Sequence, residues 1–187
     1  IRRLVDVGKF KEIQEIAIAG ATNPYLMIAI SRELLEVGRF INAKALKNCL
    51  NSLCDKQAHI PKPVYSYNDT TYSAIISFIE MCAANNLPKT KILKVLRLYF
   101  PSRLPQRIYD RFPTRERDPY LRAIALKSVL NSSEPDLEDL LPKDLLKDKK
   151  KNKYKSENDI REFNEVIGGL LPWYILRAKI LSNKIKD

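Results

Sequence analysis

Apolar side chains recur every three or four positions along most of this chain, which is the spacing of an amphipathic α-helix. One such row is Phe40, Ala43, Leu46, Leu50 and Leu53, and similar rows follow later in the sequence. No alternating run of strand length occurs, so the pattern predicts an all-α protein. The predicted helices are 9–20, 24–37, 39–54, 69–86, 89–100, 103–112, 118–131, 134–148, 157–168 and 172–185.

Three predicted helices open with proline followed by an aromatic residue, at 24–25, 119–120 and 172–173. Asn23 and Asp118 precede the first two prolines, and both residue types are good N-caps. We expect each aromatic side chain to pack on the preceding helix. Trp173 is therefore expected to lie on a packed face with Ile175, Leu176 and Ile180, and the alternative is a hot-spot contact with a partner.

The predicted helices pair into hairpins that are separated by loops. Pro61 and Pro63 mark one loop, and a run of lysines at 147–156 marks another that is expected to be solvated. The expected organisation begins with helical hairpins at 1–54 and a proline-containing loop at 55–68. Hairpins with a basic surface follow at 69–131, then an acidic helix and lysine-rich loop at 132–156, and a C-terminal hairpin at 157–187.

A seven-residue motif occurs twice near the start of the chain, 30 residues apart, at 4–10 and 34–40. Both copies have the form Leu-x-x-Val-Gly-basic-Phe, in which a helix ends, glycine turns the chain and the aromatic residue anchors the next helix. This step resembles the one that joins helix A to helix B in tetratricopeptide repeats. The matching positions are Gly38, Phe40 and Ala43 and, with isoleucine in place of alanine, Gly8, Phe10 and Ile13.

The resemblance implies antiparallel hairpins stacked as a short α-solenoid, and a compact helical bundle is the alternative. It covers residues 1–54 best, and in the next hairpin the sequence Asn-Asn-Leu-Pro at 85–88 replaces the glycine turn. Residues 1–7 then correspond to the end of a helix whose start is missing. We therefore expect the chain to begin inside an array, as a piece of a larger protein in which the helices A line a groove.

The segment Thr-Tyr-Ser-Ala-Ile-Ile at 71–76 resembles the start of helix A in a pentatricopeptide repeat. In that family the residue after the tyrosine helps to recognise one RNA base, a role that would fall to Ser73. Leu26 and Leu121 occupy the matching positions elsewhere and cannot hydrogen-bond a base edge. The base-recognition code therefore does not carry over well.

Positive charge is concentrated at 88–127, where 11 basic and 3 acidic side chains lie in a chain of net charge +11. Aromatic residues are interleaved with the arginines, a combination that suits phosphates and unstacked bases. The alternative is an ordinary solvated helix face. The candidate contacts for a nucleic acid or an acidic partner are Lys91, Lys94, Arg97, Arg103, Arg107, Arg111, Arg115 and Arg117, together with Ser73.

Several kinds of chemistry lack the residues they need. The five glycines form no phosphate-binding loop, and the single histidine, His59, excludes histidine-rich zinc sites. Cys49, Cys54 and Cys82 contain no CxxC pair and are expected to be small buried side chains in a reducing compartment. The acidic residues at 134–139 are better explained by a helix N-terminus than by a metal site. We expect no catalysis, no metal and no cofactor.

The sequence thus predicts a non-catalytic recognition or scaffold domain that binds a protein partner within a larger multidomain protein. The alternative is an RNA- or DNA-binding helical repeat that uses the basic stretch at 89–117. No stretch approaches 18 consecutive apolar residues, so no membrane span is expected. The expected location is intracellular, in the cytoplasm, or in the nucleus or mitochondrial matrix if the ligand is a nucleic acid.

Overall fold

The computed structural model describes residues 1–55, 70–100, 114–133 and 169–182. All regular secondary structure in this part of the chain is helical, which confirms the predicted fold class. The chain divides into two compact units, Ile1–Tyr99 and Phe100–Asp187. Outside the described residues lie the predicted helices 103–112, 134–148 and 157–168, the predicted loop at 56–68 and the lysine-rich run 147–156.

The described part of the first unit forms six helices. They are α1 (Arg2–Asp6), α2 (Phe10–Ala19), α3 (Pro24–Glu36), α4 (Ala43–Cys54), α5 (Thr70–Ala84) and α6 (Lys89–Tyr99). The start of α3 follows the prediction, because the Asn23 side chain accepts a hydrogen bond of 3.2 Å from the Leu26 N–H and Pro24 occupies the first turn.

The six helices are arranged in two layers. The odd-numbered helices α1, α3 and α5 contact one another in order, and so do the even-numbered helices α2, α4 and α6. Each helix also contacts the next one along the chain, and the short turns within the pairs α1–α2, α3–α4 and α5–α6 make the two helices of each pair antiparallel. The first unit is therefore a stack of three helical hairpins in chain order.

The odd-numbered helices of this unit end in the same way. Gly8, Gly38 and Asn86 follow α1, α3 and α5, and all three have a left-handed backbone, with φ of 70°, 66° and 54°. The N–H of each and the N–H of the next residue bond back to carbonyls in the last helical turn. Asparagine tolerates this conformation better than most residues with a side chain. Asn86 therefore takes the role that glycine has in the first two hairpins.

The connection between α3 and α4 is held by a side chain of α2. Gln14 Nε2 donates a hydrogen bond of 2.6 Å to the Phe40 carbonyl, and Gln14 Oε1 accepts one of 2.9 Å from the Asn42 N–H. Asn42 in turn caps α4 by accepting a hydrogen bond from the Lys44 N–H. These contacts keep residues 39–42 out of the helix, so α4 begins at Ala43 rather than at the predicted residue 39.

The prediction that Phe40 and Ala43 belong to the buried face of α4 is wrong. Phe40 is 43% exposed and Ala43 is exposed, whereas Ile41 is buried and its N–H lies 3.3 Å from the Met81 Sδ. The anchoring role expected of Phe40 thus falls to Ile41. The first copy of the motif fits better, because Ile13 is completely buried.

Helix α5 is the most completely buried helix of the first unit. From Tyr72 to Ala83 every side chain except Ser73 is buried, and α3 is the helix that packs on it most extensively. Burial of one large side chain such as Phe78 stabilises the fold by about 1.5–3 kcal/mol. A helix that is enclosed on all sides belongs to a core. In the position of a helix A, α5 therefore has little free surface with which to line a groove.

The described part of the second unit contains α7 (Thr114–Asn131) and α8 (Leu171–Leu181), which pack against each other. The prediction that Asp118 caps α7 is wrong, because the helix starts four residues earlier and Pro119 lies inside it. Tyr120 is buried and meets the Phe100 ring edge-to-face at 5.5 Å. Tyr120 is therefore buried as expected, although the predicted helix 103–112 on which it was expected to pack lies outside the described residues, whereas Tyr25 is 54% exposed.

Candidate functional site

The even-numbered helices α4 and α6 together expose a strongly basic surface. The two helices contact each other, and neither contains an acidic residue. On α4 the exposed arc carries lysines and amides, and on α6 it carries lysines and one arginine. We call this surface the basic face and define it by Lys44, Lys47, Lys91, Lys94 and Arg97.

Two lysines of α6 bind the C-terminal turn of α4. Lys91 Nζ donates a hydrogen bond of 2.6 Å to Asn51 Oδ1, and Lys94 Nζ donates one of 2.7 Å to the Cys54 carbonyl. The last carbonyls of a helix have no partner within the helix and carry partial negative charge, so ammonium groups stabilise that end. These hydrogen bonds fix the two helices, and hence the two halves of the basic face, relative to each other.

The structure distributes the sequence-predicted contact residues unequally. Lys91 is half-buried, and Lys94 and Arg97 are exposed on α6. Ser73 is half-buried on α5, away from the outer arc of the even-numbered helices, and its carbonyl accepts a hydrogen bond of 2.9 Å from Ser77. The other predicted contacts lie outside the described residues, namely Arg103, Arg107 and Arg111 and the side chains of Arg115 and Arg117.

Lys44 and Lys47 are the residues of the basic face that sequence reasoning missed. They precede the recognised basic stretch by more than 40 positions and join it only because α4 packs beside α6. A signal was present, because the segment from Ile41 to Cys54 contains no acidic residue. By contrast, α2 carries Glu12 and Glu15 beside Lys11, and the Nζ of Lys9, which directly precedes the helix, lies 3.5 Å from Glu12 Oε1.

Helix α8 exposes an apolar row. Leu171, Tyr174 and Ala178 are buried, whereas Trp173, Leu176 and Ile180 are 56%, 49% and 57% exposed. The prediction of a packed face that includes these three residues and Ile175 is therefore wrong for the three, whereas Ile175 is half-buried. The tryptophan ring lies edge-to-face against Tyr174, with ring centres 5.3 Å apart, which limits its freedom on the surface. We call Trp173, Leu176 and Ile180 the apolar row.

The three cysteines are buried free thiols, as predicted. Burial raises the pKa of the Cys49 thiol to about 12 and raises the pKa of Cys82 well above its usual value. Burial also raises the pKa of Cys54, and the nearby Lys94 and Lys91 ammonium groups oppose this. A thiol that stays protonated is a poor nucleophile and a poor metal ligand. The cysteines therefore serve as core side chains.

Among the described residues, no three His, Cys, Asp or Glu side chains come together in a way that could hold a metal ion. In the same part of the chain, no helix is both long and apolar enough to cross a membrane. A scan of protein-family models finds no match to the sequence, and a search of curated proteins finds no significantly similar relative. The candidate functional features of the described residues are therefore the two exposed surfaces, the basic face and the apolar row.

Proposed function

We propose that this chain is a non-catalytic recognition domain, part of a larger multidomain protein, that binds a protein partner through the apolar row of α8. The observation that supports the proposal is the exposure of Trp173, Leu176 and Ile180 on one side of a surface helix. Their spacing of three and four residues puts them on a single arc. Large apolar side chains grouped on a surface are typical of protein–protein contacts.

The arrangement fits the mode in which one helix inserts its apolar side into a groove of another protein, with anchors at positions i, i+3 and i+7. Tryptophan is the residue type most enriched among side chains that dominate binding energy, and truncating such a residue weakens binding by about 2 kcal/mol or more. We therefore expect Trp173 to be the main anchor and Leu176 and Ile180 to flank it.

The charge around the row indicates the kind of groove. Residues 169–182 include Arg177 and Lys179 and no acidic residue. An interface commonly surrounds an apolar centre with a polar rim, and complementary charge at the rim speeds association. The partner is therefore expected to be a protein with an apolar groove that acidic side chains border.

The test compares the proteins bound by three versions of the full chain. Trp173→Ala with Leu176→Ala removes two members of the row, and Tyr25→Ala is the matched control because that aromatic is 54% exposed. The proposal expects one or more proteins that bind the wild type and the control and are lost from the double variant. Their affinity should change only mildly between 50 and 200 mM salt, because salt screens the charges at the rim but leaves the apolar contacts in place. Identical protein sets from all three versions would refute it.

A further inference from the structure

The basic face of the first unit has a composition that the protein-binding proposal does not explain. Lys44, Lys47, Lys94 and Arg97 are exposed on two helices that touch and that contain no acidic residue. Charged helix surfaces usually mix both signs, as the start of α2 does with Lys9 and Glu12. We propose that this face binds the phosphate backbone of double-stranded nucleic acid, without recognition of base sequence.

The geometry gives the face a fixed shape before any ligand arrives. The hydrogen bonds from Lys91 to Asn51 and from Lys94 to the Cys54 carbonyl hold α6 against the end of α4. An ammonium group has three donors, so each of these lysines keeps others for a phosphate oxygen. Side chains that are already ordered lose less entropy on binding. The two hydrogen bonds therefore preorganise the centre of the face.

The polar residues between the cations favour phosphate over an acidic peptide. The outer arc of α4 also carries the exposed amide of Asn48 and the half-buried amide of Asn51 and hydroxyl of Ser52, which are side-chain types that commonly contact phosphates. A protein interface needs apolar or aromatic anchors at its centre, and on the arc of α6 the large apolar side chain that is exposed is Leu98, at 41%. The basic face is thus rich in side chains that can contact phosphate and poor in the apolar side chains that anchor a protein partner.

The absence of exposed aromatic rings on the described lengths of α4 and α6 favours a duplex over a single strand. Proteins that bind single strands without sequence preference stack bases on aromatic side chains. Within the described lengths of α4 and α6 the one aromatic residue is Tyr99, which is buried. A duplex needs no such platform, because its phosphates lie outside and its bases remain stacked. The chain's sequence pI of about 9.6 agrees with binding to a polyanion.

The salt dependence of binding provides a quantitative expectation. If the four exposed cations each neutralise one duplex phosphate, the logarithm of the association constant falls with the logarithm of salt concentration with a slope of about −3.6. The affinity then falls about 150-fold between 50 and 200 mM salt. Removal of Lys44 and Lys47 should reduce the slope to about −1.8.

The experiment measures fluorescence anisotropy of labelled 24-base-pair duplexes of two unrelated sequences with the full chain, over 50–200 mM salt. Lys44→Ala with Lys47→Ala is compared with Lys9→Ala with Lys11→Ala, which removes the same charge from the start of α2. All four lysines are exposed, so both double variants should keep the wild-type circular dichroism spectrum. A single strand and polyglutamate serve as competing polyanions.

The proposal expects equal affinity for the two duplexes, the stated slopes, and a loss of binding in the α4 variant that the α2 variant does not share. Equal losses in both variants would overturn it, because binding would then follow net charge rather than the face. Single strands or polyglutamate that bind as tightly as the duplex would overturn the choice of ligand. No duplex binding at 50 mM salt would overturn the proposal altogether.

Discussion

Replacement of Gly38 with alanine tests whether the left-handed turn after α3 holds the hairpin in place. Gly38 has a φ of 66°, and its N–H and that of Arg39 bond to the Leu35 and Leu34 carbonyls at 3.2 Å and 2.9 Å. An added Cβ would meet no atom within 4 Å, so the effect of the substitution comes from the backbone alone. The change in the free energy of unfolding should therefore reflect the conformational cost of the left-handed backbone.

The expected magnitude combines two opposing terms. A left-handed residue with a Cβ is less favourable by about 1–2 kcal/mol, and alanine restricts the unfolded chain in a way that restores about 0.4–1 kcal/mol. We therefore expect Gly38→Ala to lower the free energy of unfolding by about 1 kcal/mol. Gly38→Asn should lower it less, because asparagine tolerates this conformation and does so at Asn86.

The assay is urea unfolding followed by far-ultraviolet circular dichroism, with both variants measured beside the wild type. The slope of unfolding free energy against urea should not change, so the difference should appear as a lower midpoint. The reasoning would be refuted if alanine left the midpoint unchanged, or if asparagine lowered it more than alanine did.

Two further predictions concern the α3–α4 connection and the core thiols. Gln14→Leu removes two hydrogen bonds and should lower the free energy of unfolding in urea by about 1–3 kcal/mol. Glu15→Leu, at an exposed position, is the control and should lower it little. Equal losses in the two variants would contradict this role of Gln14. The Cys49 thiol has a pKa of about 12 when folded and about 9.0 in the absence of burial, so above pH 9 only the unfolded state ionises. Stability should therefore fall as pH rises, by about 1.4 kcal/mol per pH unit from this thiol. Cys49→Ala should show a shallower decline between pH 9 and 11, and equal declines would contradict the assignment.

The sequence predicted most helices of the first unit because local chemistry marks their ends. Asn23 and Pro24 determine where α3 begins, and a left-handed residue after each odd-numbered helix determines where it ends. The apolar spacing predicts the start of α4 four residues too early, because Phe40 continues the spacing of the helix. The hydrogen bonds from Gln14, 26 and 28 positions away, exclude these residues from the helix, and spacing carries no sign of them.

The orientation of α8 could not be predicted for a different reason. Leu171, Tyr174 and Ala178 have the spacing of three and four residues, and so do Trp173, Leu176 and Ile180. A helix with two apolar sides has no single direction of hydrophobicity, so its sequence alone does not select the buried side. Contact with α7 makes that choice. The same limit applies to Lys44 and Lys47, whose membership of the basic face depends on the packing of α4 beside α6.

The burial of α5 from Ala74 to Ala83 separates two kinds of sequence change in this protein. A substitution between Ala74 and Ala83 alters packing and hence stability, whereas one at the outer positions of α4 or α6 alters a surface that carries little of the core. If the basic face binds a ligand as proposed, mutations that change its ligand preference can accumulate on the outer positions of α4 and α6 without a compensating change inside. The outer surface of the first unit could then change its specificity at low risk to folding.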